Sequence, residues 1–321
     1  MNTLLQIKNI VKHFPAKTGF FEAGSGVIHA LNDVSFTVEH GETLGLVGES
    51  GCGKSTLAKI IARLIPSTSG KIFFEGEDIT HLAQNKLKKI RRNIQFVFQD
   101  PQASLNPHMT IVNTVSEPFV VHGLCSAKGA IPEAERILSL AGVPKEMVSR
   151  YPHEFSTGQR QRIAIARALA LNPKLIIADE PIASLDVSIQ AQILNLFKEL
   201  KDKFNLTYIF ISHDLRVIEY ISDRVIVMYL GKIMEVAKNS DLYRHPIHPY
   251  TEALISAIPV PDPATKKKRI ILRGEIPGTT KLPSGCVFHT RCVYAKQKCV
   301  DEIPELTRRD GRSFACHFPL E

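Results

Sequence analysis

The sequence predicts an α/β domain on a mostly parallel sheet covered on both faces, with a helical insertion between its halves and a small cysteine-bearing tail. Three observations carry that prediction. Strand-like apolar runs alternate with helix-compatible stretches along most of the 321 residues, the pattern of parallel strands joined by helical crossovers. One apolar run leads directly into a glycine-rich loop, residues 48–55, GESGCGKS. Four of the six cysteines fall in the last 36 residues, beyond a Pro-rich stretch at 259–263.

In chain order, residues 5–8 and 34–38 alternate as strands do. Between them, 16–26 is rich in glycine and reads as a loop insertion. Residues 43–47 (TLGLV) form an apolar strand before the glycine loop, and 56–64 is helix-compatible. A short strand follows at 71–74. Helical signals dominate 111–171, punctuated at Gly123 and at 142–144. Strands return at 174–178, 207–211 and 224–228, and a helix over 188–203 separates the first two. The domain reading is residues 1–250 as one nucleotide-binding unit, its helical part at about 100–172, followed by a C-terminal region over 251–321. No internal repeat is visible.

Composition narrows the function. An apolar fraction of 44% supports a sizeable core. No apolar run reaches the about 18 residues that span a bilayer. The first residues lack the basic region and apolar core of a signal peptide, so a cytosolic location is expected. The net charge of +8 suits nucleic acid, anionic lipid or nucleotide, but the basic residues are widely spread. The one tight run, Lys266, Lys267, Lys268 and Arg269, reads as a solvated linker. Cysteines in a cytosolic chain are not expected to form disulfides.

The loop meets every fixed position of G-x-x-x-x-G-K-S/T between a strand and a helix. Its glycines let backbone N–H groups close on a triphosphate at a helix N-terminus. Lys54 is placed to reach the β- and γ-phosphates and Ser55 to hold Mg²⁺. The strand at 175–178 ends in Asp179 and Glu180. Asp179 suits a Mg²⁺ contact, direct or through water, and Glu180 suits polarisation of the attacking water. Residues 155–159 (FSTGQ) open a long helix, with Ser156 as a cap or as part of an anion site.

This order of motifs resembles the ATP-binding cassette (ABC) ATPase family over nearly the whole chain. The resemblance implies a P-loop NTPase cassette with an antiparallel β subdomain and an inserted helical subdomain. It implies nucleotide contacts from Gly48, Glu49, Ser50, Gly51, Cys52, Gly53, Lys54, Ser55 and Thr56. Gln99 matches the Q-loop glutamine, which senses Mg²⁺ and couples to a membrane partner. Ser156, Gly158 and Gln159 match the signature. Asp179 and Glu180 match Walker B and the catalytic glutamate. Asp186 matches the D-loop, and His213 the switch histidine at the γ-phosphate. Phe14 or His13 is the expected adenine-stacking residue. Thr157 departs from the glycine usual in the signature, so the partner site that this signature completes is expected to be weaker.

Local strings resemble the dipeptide/oligopeptide importer branch: residues 99–107 (QDPQASLNP), 184–192 (SLDVSIQAQ), 248–251 (HPYT) and 283–292 (PSGCVFHTRC). Phe14-Pro15 and Gly19-Phe20-Phe21 resemble the second of the two ATPase subunits such systems use. The resemblance implies ATP-driven import of peptides at the cytoplasmic face of the membrane. Its partners would be a related second ATPase, two permease subunits and an external solute-binding protein. Nickel chelates or sugars are alternative solutes. Two readings of other classes are a soluble ABC regulator acting on RNA or DNA and a non-hydrolysing scaffold, the latter opposed by intact Glu180 and His213.

Cys286, Cys292, Cys299 and Cys316 place four thiols in a loop-rich segment. Four thiolates suit zinc or a 4Fe–4S cluster, although the paired C-x₂-C of most structural zinc sites is missing. Plain buried cysteines are the third reading. The importer branch binds an iron–sulfur cluster with such a tail, so the resemblance implies 4Fe–4S, with zinc as the alternative. His289 and His317 are further candidate zinc ligands.

Overall fold

The computed structural model describes residues 3–16, 26–259 and 269–321. The Gly19-Phe20-Phe21 insertion, the lysines at 266–268 and most of the Pro-rich stretch lie outside the described residues.

Thr3–Pro15 and Val27–Glu39 form the long antiparallel strands β1 and β2. Thr43–Val47 is β3 and Lys54–Ile61 is helix α1. Strands β4 (Ser69–Phe74) and β5 (Glu77–Asp78) complete an antiparallel sheet of order β2-β1-β4-β5. Helix α2 (Gln84–Asn93) leads into β6 (Ile94–Val97). Then come the helices α3 (Pro101–Ser104), α4 (Ile111–Val121), α5 (Ala127–Leu140) and α6 (Thr157–Leu169). The alternating pattern resumes with β7 (Leu175–Asp179), α7 (Val187–Phe204), β8 (Thr207–Ile211), α8 (Leu215–Ile221), β9 (Arg224–Tyr229) and β10 (Lys232–Lys238). Helices α9 (Asn239–Arg244), α10 (Pro249–Ser256) and α11 (Gln297–Asp301) precede a closing hairpin, β11 (Thr307–Arg309) and β12 (Arg312–Phe314).

The main sheet has the order β11-β12-β10-β9-β3-β8-β7-β6. Its centre is parallel, as the alternating sequence predicts. Strands β3, β7 and β8 are buried along their full length, which is why they read as continuous apolar runs rather than as alternation. Successive side chains serve opposite faces. Leu175, Ile177, Ile209 and Ile211 join a core shared with α1 and the antiparallel sheet. Ile176, Ala178, Tyr208 and Phe210 join a second core under α4 to α8.

Caps fix where the helices begin. Ser156 Oγ accepts the Gln159 amide while Gln159 Oε1 accepts the Ser156 amide, a reciprocal pair that satisfies two orphan donors. Asp186 opens α7 by accepting the Ile189 amide, and Asn205, at φ 49°, closes it.

The C-terminal segment is built into the main sheet. Glu235 and Val236 of β10 pair with Phe314 and Ser313 of β12. His248 caps α10, its Nδ1 accepting the Tyr250 amide at 3.0 Å. Burial pulls its pKa down to about 3, so the folded state keeps it neutral. A base depressed this way binds fewer protons folded than unfolded between pH 3 and 6.5, so stability is lost as pH falls through that window. At pH 5 the loss is about 2 kcal/mol. His248→Asn keeps the cap acceptor and removes the titration. Denaturant unfolding at pH 7 and pH 5 should therefore show a smaller drop in the variant than in the parent.

Candidate active site

Four adjacent parallel strands, β3, β8, β7 and β6, end at one edge of the sheet. That carboxyl edge is where open α/β sheets bind ligands, and the loops leaving these four strands carry the site. After β3 the chain turns through Gly48 (φ 147°) and Gly53 (φ 104°) into α1. A Cβ on Gly48 would sit 2.1 Å from the Met228 carbonyl oxygen, and one on Gly53 2.5 Å from that of Ala30. Only glycine closes the loop against those carbonyls in this conformation.

Lys54, 5% exposed, donates from Nζ to the carbonyl oxygens of Gly48 (2.8 Å) and Glu49 (3.0 Å). Those partners are neutral, so its charge is available to an anion. Ser55 Oγ donates to Asp179 Oδ1 at 2.9 Å. Burial raises the Asp179 carboxyl above its ordinary range, and the Ser55 hydroxyl pulls it back. A hydroxyl and a carboxylate brought together at a phosphate loop suit Mg²⁺, which takes few protein oxygens and completes its shell with phosphate and water.

Glu180 follows β7 in the left-handed conformation (φ 48°), with its amide donating to the Ile211 carbonyl at 3.0 Å. A non-glycine residue held there costs of order 1–3 kcal/mol and marks an over-determined site. Its Oε2 accepts from Gln99 Nε2 at 3.1 Å and lies 3.3 Å from His213 Nδ1. Three strand ends, β6, β7 and β8, thus contribute to one carboxylate.

These groups wall an open cleft of about 610 Å³. Ser50, Gly51, Gly53, Lys54, Ser55, Thr56, Gln99, Glu180 and His213 all line it, and so does Phe14 on its rim. Of the two stacking candidates, Phe14 faces the cleft, whereas His13 turns to His29, with Nε2 and Nδ1 3.1 Å apart. Neighbouring strand residues face opposite sides, so only one of the pair lines the cleft. Of the loop residues, Gly48, Glu49 and Cys52 do not line this cleft. Ser156, Gly158, Gln159 and Asp186 do not line this cleft. Ser156 and Thr157 are exposed at the start of α6.

Sequence reasoning missed Ile28, Ala30 and Thr279, which also line the cleft. Thr279 arrives from the C-terminal region, its carbonyl accepting the His29 amide at 2.9 Å. It also missed Tyr250 and Arg291, both of which bond to Glu49. Tyr250 and Arg291 fall within the HPYT and PSGCVFHTRC strings, but nothing in those strings points to a contact with the phosphate loop.

The cluster expectation for the tail is not supported. Cys286, Cys292, Cys299 and Cys316 do line one narrow pocket with His248, His289 and His317. Yet among the described residues no group of three or more His, Cys, Asp or Glu side chains is arranged to hold a metal ion. Burial raises the thiols of Cys286, Cys292 and Cys316, the latter two to about 11. His289 Nδ1 and His317 Nε2 bond to backbone carbonyls.

The chain matches the ABC transporter family over residues 31–183 and the oligopeptide/dipeptide transporter C-terminal region over 234–299. It is 52% identical to the oligopeptide transport ATP-binding protein AppF of Bacillus subtilis, covering 98% of this chain and 97% of that protein. It is 51% identical to a probable peptide ABC transporter ATP-binding protein, y4tS, of Sinorhizobium fredii, over 98% and 90%. Among solved structures it resembles a dimeric post-hydrolysis state of the ATP-binding cassette MJ0796 bound to ADP and Pi. There the TM-score is 0.65 and identity 32%, over 74% of this chain and 99% of that one. With the phosphate loop, the Asp179–Glu180 strand end and the C-terminal match in one chain, this protein belongs to the ABC transporter family, as an ATP-binding cassette of the oligopeptide/dipeptide type.

Proposed function

We propose that the chain is the ATP-hydrolysing subunit that powers import of peptides through a multi-subunit ABC transporter. The observation that carries the reading is the Glu180 carboxylate, held by Gln99 and His213 at the mouth of a cleft floored by Lys54 and Ser55. Lys54 neutralises phosphate charge. Ser55 and Asp179 would hold Mg²⁺, which would supply further charge stabilisation. Glu180 takes the proton of the attacking water, and Gln99 and His213 orient its carboxylate. Catalysis is then positioning and charge stabilisation.

Ser156 and Thr157 of the signature are exposed at the α6 N-terminus and away from their own cleft, which supports a head-to-tail pair in which each chain closes the other's site. That the MJ0796 cassette this chain resembles is dimeric supports a pair of cassettes. The second chain in this reading is a related ATPase, so the pair is a heterodimer. Thr157, with a β-branched side chain in place of glycine, weakens the site it completes in that partner. Two permeases and an external solute-binding protein complete the assembly at the cytoplasmic face. Among the described residues no helix is long and apolar enough to cross a membrane, in keeping with a peripheral subunit. Peptide as solute rests on the C-terminal match and on the relatives' names.

Affinity purification of the chain from detergent-solubilised membranes tests the reading. It is expected to recover two multi-span proteins and a second cassette. Recovery of ribosomes or nucleic acid without any multi-span protein would overturn it. Nucleotide binding has its own test. Lys54→Met should raise the Kd for Mg-ATP about ten- to a hundredfold in equilibrium titration, the loss of one charged hydrogen-bonding partner.

A further inference from the structure

The second residue of the phosphate loop is an acid, although the loop receives a polyanion. Glu49 does not line the cleft, and its carboxylate turns back to Arg291. The guanidinium grips it at both oxygens, Nη1 to Oε2 at 2.6 Å and Nη2 to Oε1 at 3.1 Å. Arg291 is 8% exposed and Glu49 23%. The Glu49 amide donates to Tyr250 Oη at 3.0 Å. Tyr229, Tyr250 and Phe288 pack ring against ring, with centroids 4.8 to 5.3 Å apart, and Arg291 reaches the Tyr229 hydroxyl at 3.4 Å. Residues 276–279 lie along the same side of the loop. The amide and the carboxylate of Glu49 are therefore both held by side chains more than 200 positions away in sequence.

We propose that Arg291 is a positioning residue for nucleotide binding: it neutralises Glu49 and holds that carboxylate behind the phosphate loop, so the C-terminal region sets the affinity of the cassette for ATP. Without it, Glu49 carries an uncompensated negative charge beside the triphosphate, and a carboxylate in a partly buried site repels an anion more strongly than in water. A bidentate guanidinium–carboxylate pair fixes direction as well as charge. The inference rests on the nucleotide reading given above. It adds to that reading a residue that touches neither the nucleotide nor the reacting atoms.

The test is isothermal titration of the full chain with Mg-ATP. It reads Kd and binding stoichiometry separately, and thermal melting without nucleotide accompanies it. Arg291→Met is expected to raise Kd about tenfold, the scale of a typical site-to-site coupling. Adding Glu49→Gln to it should bring Kd back to within about threefold of the parent, because the stranded charge is gone. Arg291→Gln, which keeps a hydrogen-bond donor but no charge, carries the same expectation should the Met variant fail to fold. A merely structural role would lower the melting temperature and the active fraction while leaving the Kd of the folded fraction unchanged. That result, or a double variant that binds no better than Arg291→Met, overturns the proposal. Failure of the parent chain to bind Mg-ATP at all would instead overturn the nucleotide reading, and this inference with it.

Discussion

Glu180→Gln is expected to lower ATP turnover by about 10²–10⁴-fold, the range for loss of a positioned general base, while Kd for Mg-ATP changes by no more than about threefold. The substitution keeps the side-chain volume and one oxygen able to accept the Gln99 amide. It removes the carboxylate proposed to take a proton from water. Lys54, Ser55 and Asp179, which make the binding end of the site, lie on other elements and stay as they are. The left-handed backbone at residue 180 is fixed by the bond from its amide to the Ile211 carbonyl, so the exchange does not disturb the turn. Phosphate release by the assembled transporter and equilibrium titration of the isolated chain read the two effects apart. A variant that hydrolyses ATP near the parent rate would remove Glu180 from the role of base. One that no longer binds would show that its carboxylate supports the nucleotide rather than the water.

What the sequence makes legible here follows from the reach of local structure. The phosphate loop, the Asp179–Glu180 pair and His213 each sit within a few residues of a buried parallel strand. Chain order then fixes which edge of the sheet each occupies, and the adjacency of β3, β8 and β7 brings them together. Phe14 against His13 is decided by strand alternation, but only once the register with β2 is known. Strand β10 escapes a sequence reading because Glu235 interrupts its apolar run. The residue is tolerated there because Arg312, 77 positions downstream, and the Ile247 and His248 amides satisfy its carboxylate. Thr279, Tyr250 and Arg291 are illegible for the same reason, since their partners are set by tertiary packing. The four cysteines show the converse. Their spacing brings them to one pocket, yet proximity in sequence says nothing of whether the thiols converge as ligands, and here they do not.

Glu235→Ala should be the most destabilising single change in the C-terminal half, costing about 3–5 kcal/mol, the penalty for breaking a buried ion pair from one side. Glu235 has no exposed surface. Its carboxylate accepts the amides of Ile247 and His248 at 2.9 to 3.2 Å and the Arg312 guanidinium at 3.0 Å. Alanine strands the two amides and takes the carboxylate partner from the Arg312 guanidinium, beneath the hairpin that closes the main sheet. Arg312→Met alone should cost less, because the two amides keep their acceptor and Arg312 also bonds the His245 carbonyl, a partner that re-pairs readily with water at the surface. Pairing Glu235→Met with Arg312→Met should recover only part of the loss. The charge problem disappears, but two buried backbone N–H groups still lack an acceptor, at about 1–3 kcal/mol each. Denaturant unfolding of the three variants checks that order. The functional consequence is directional: the edge that Glu235 secures carries the segment that delivers Thr279 and Arg291 to the phosphate loop, so partial melting of this edge should weaken nucleotide binding before the parallel core unfolds. Nucleotide titration of Glu235→Ala at rising denaturant, followed beside far-UV dichroism, should therefore lose binding first. Loss of both signals in a single transition would mean that the C-terminal region and the cassette unfold as one unit.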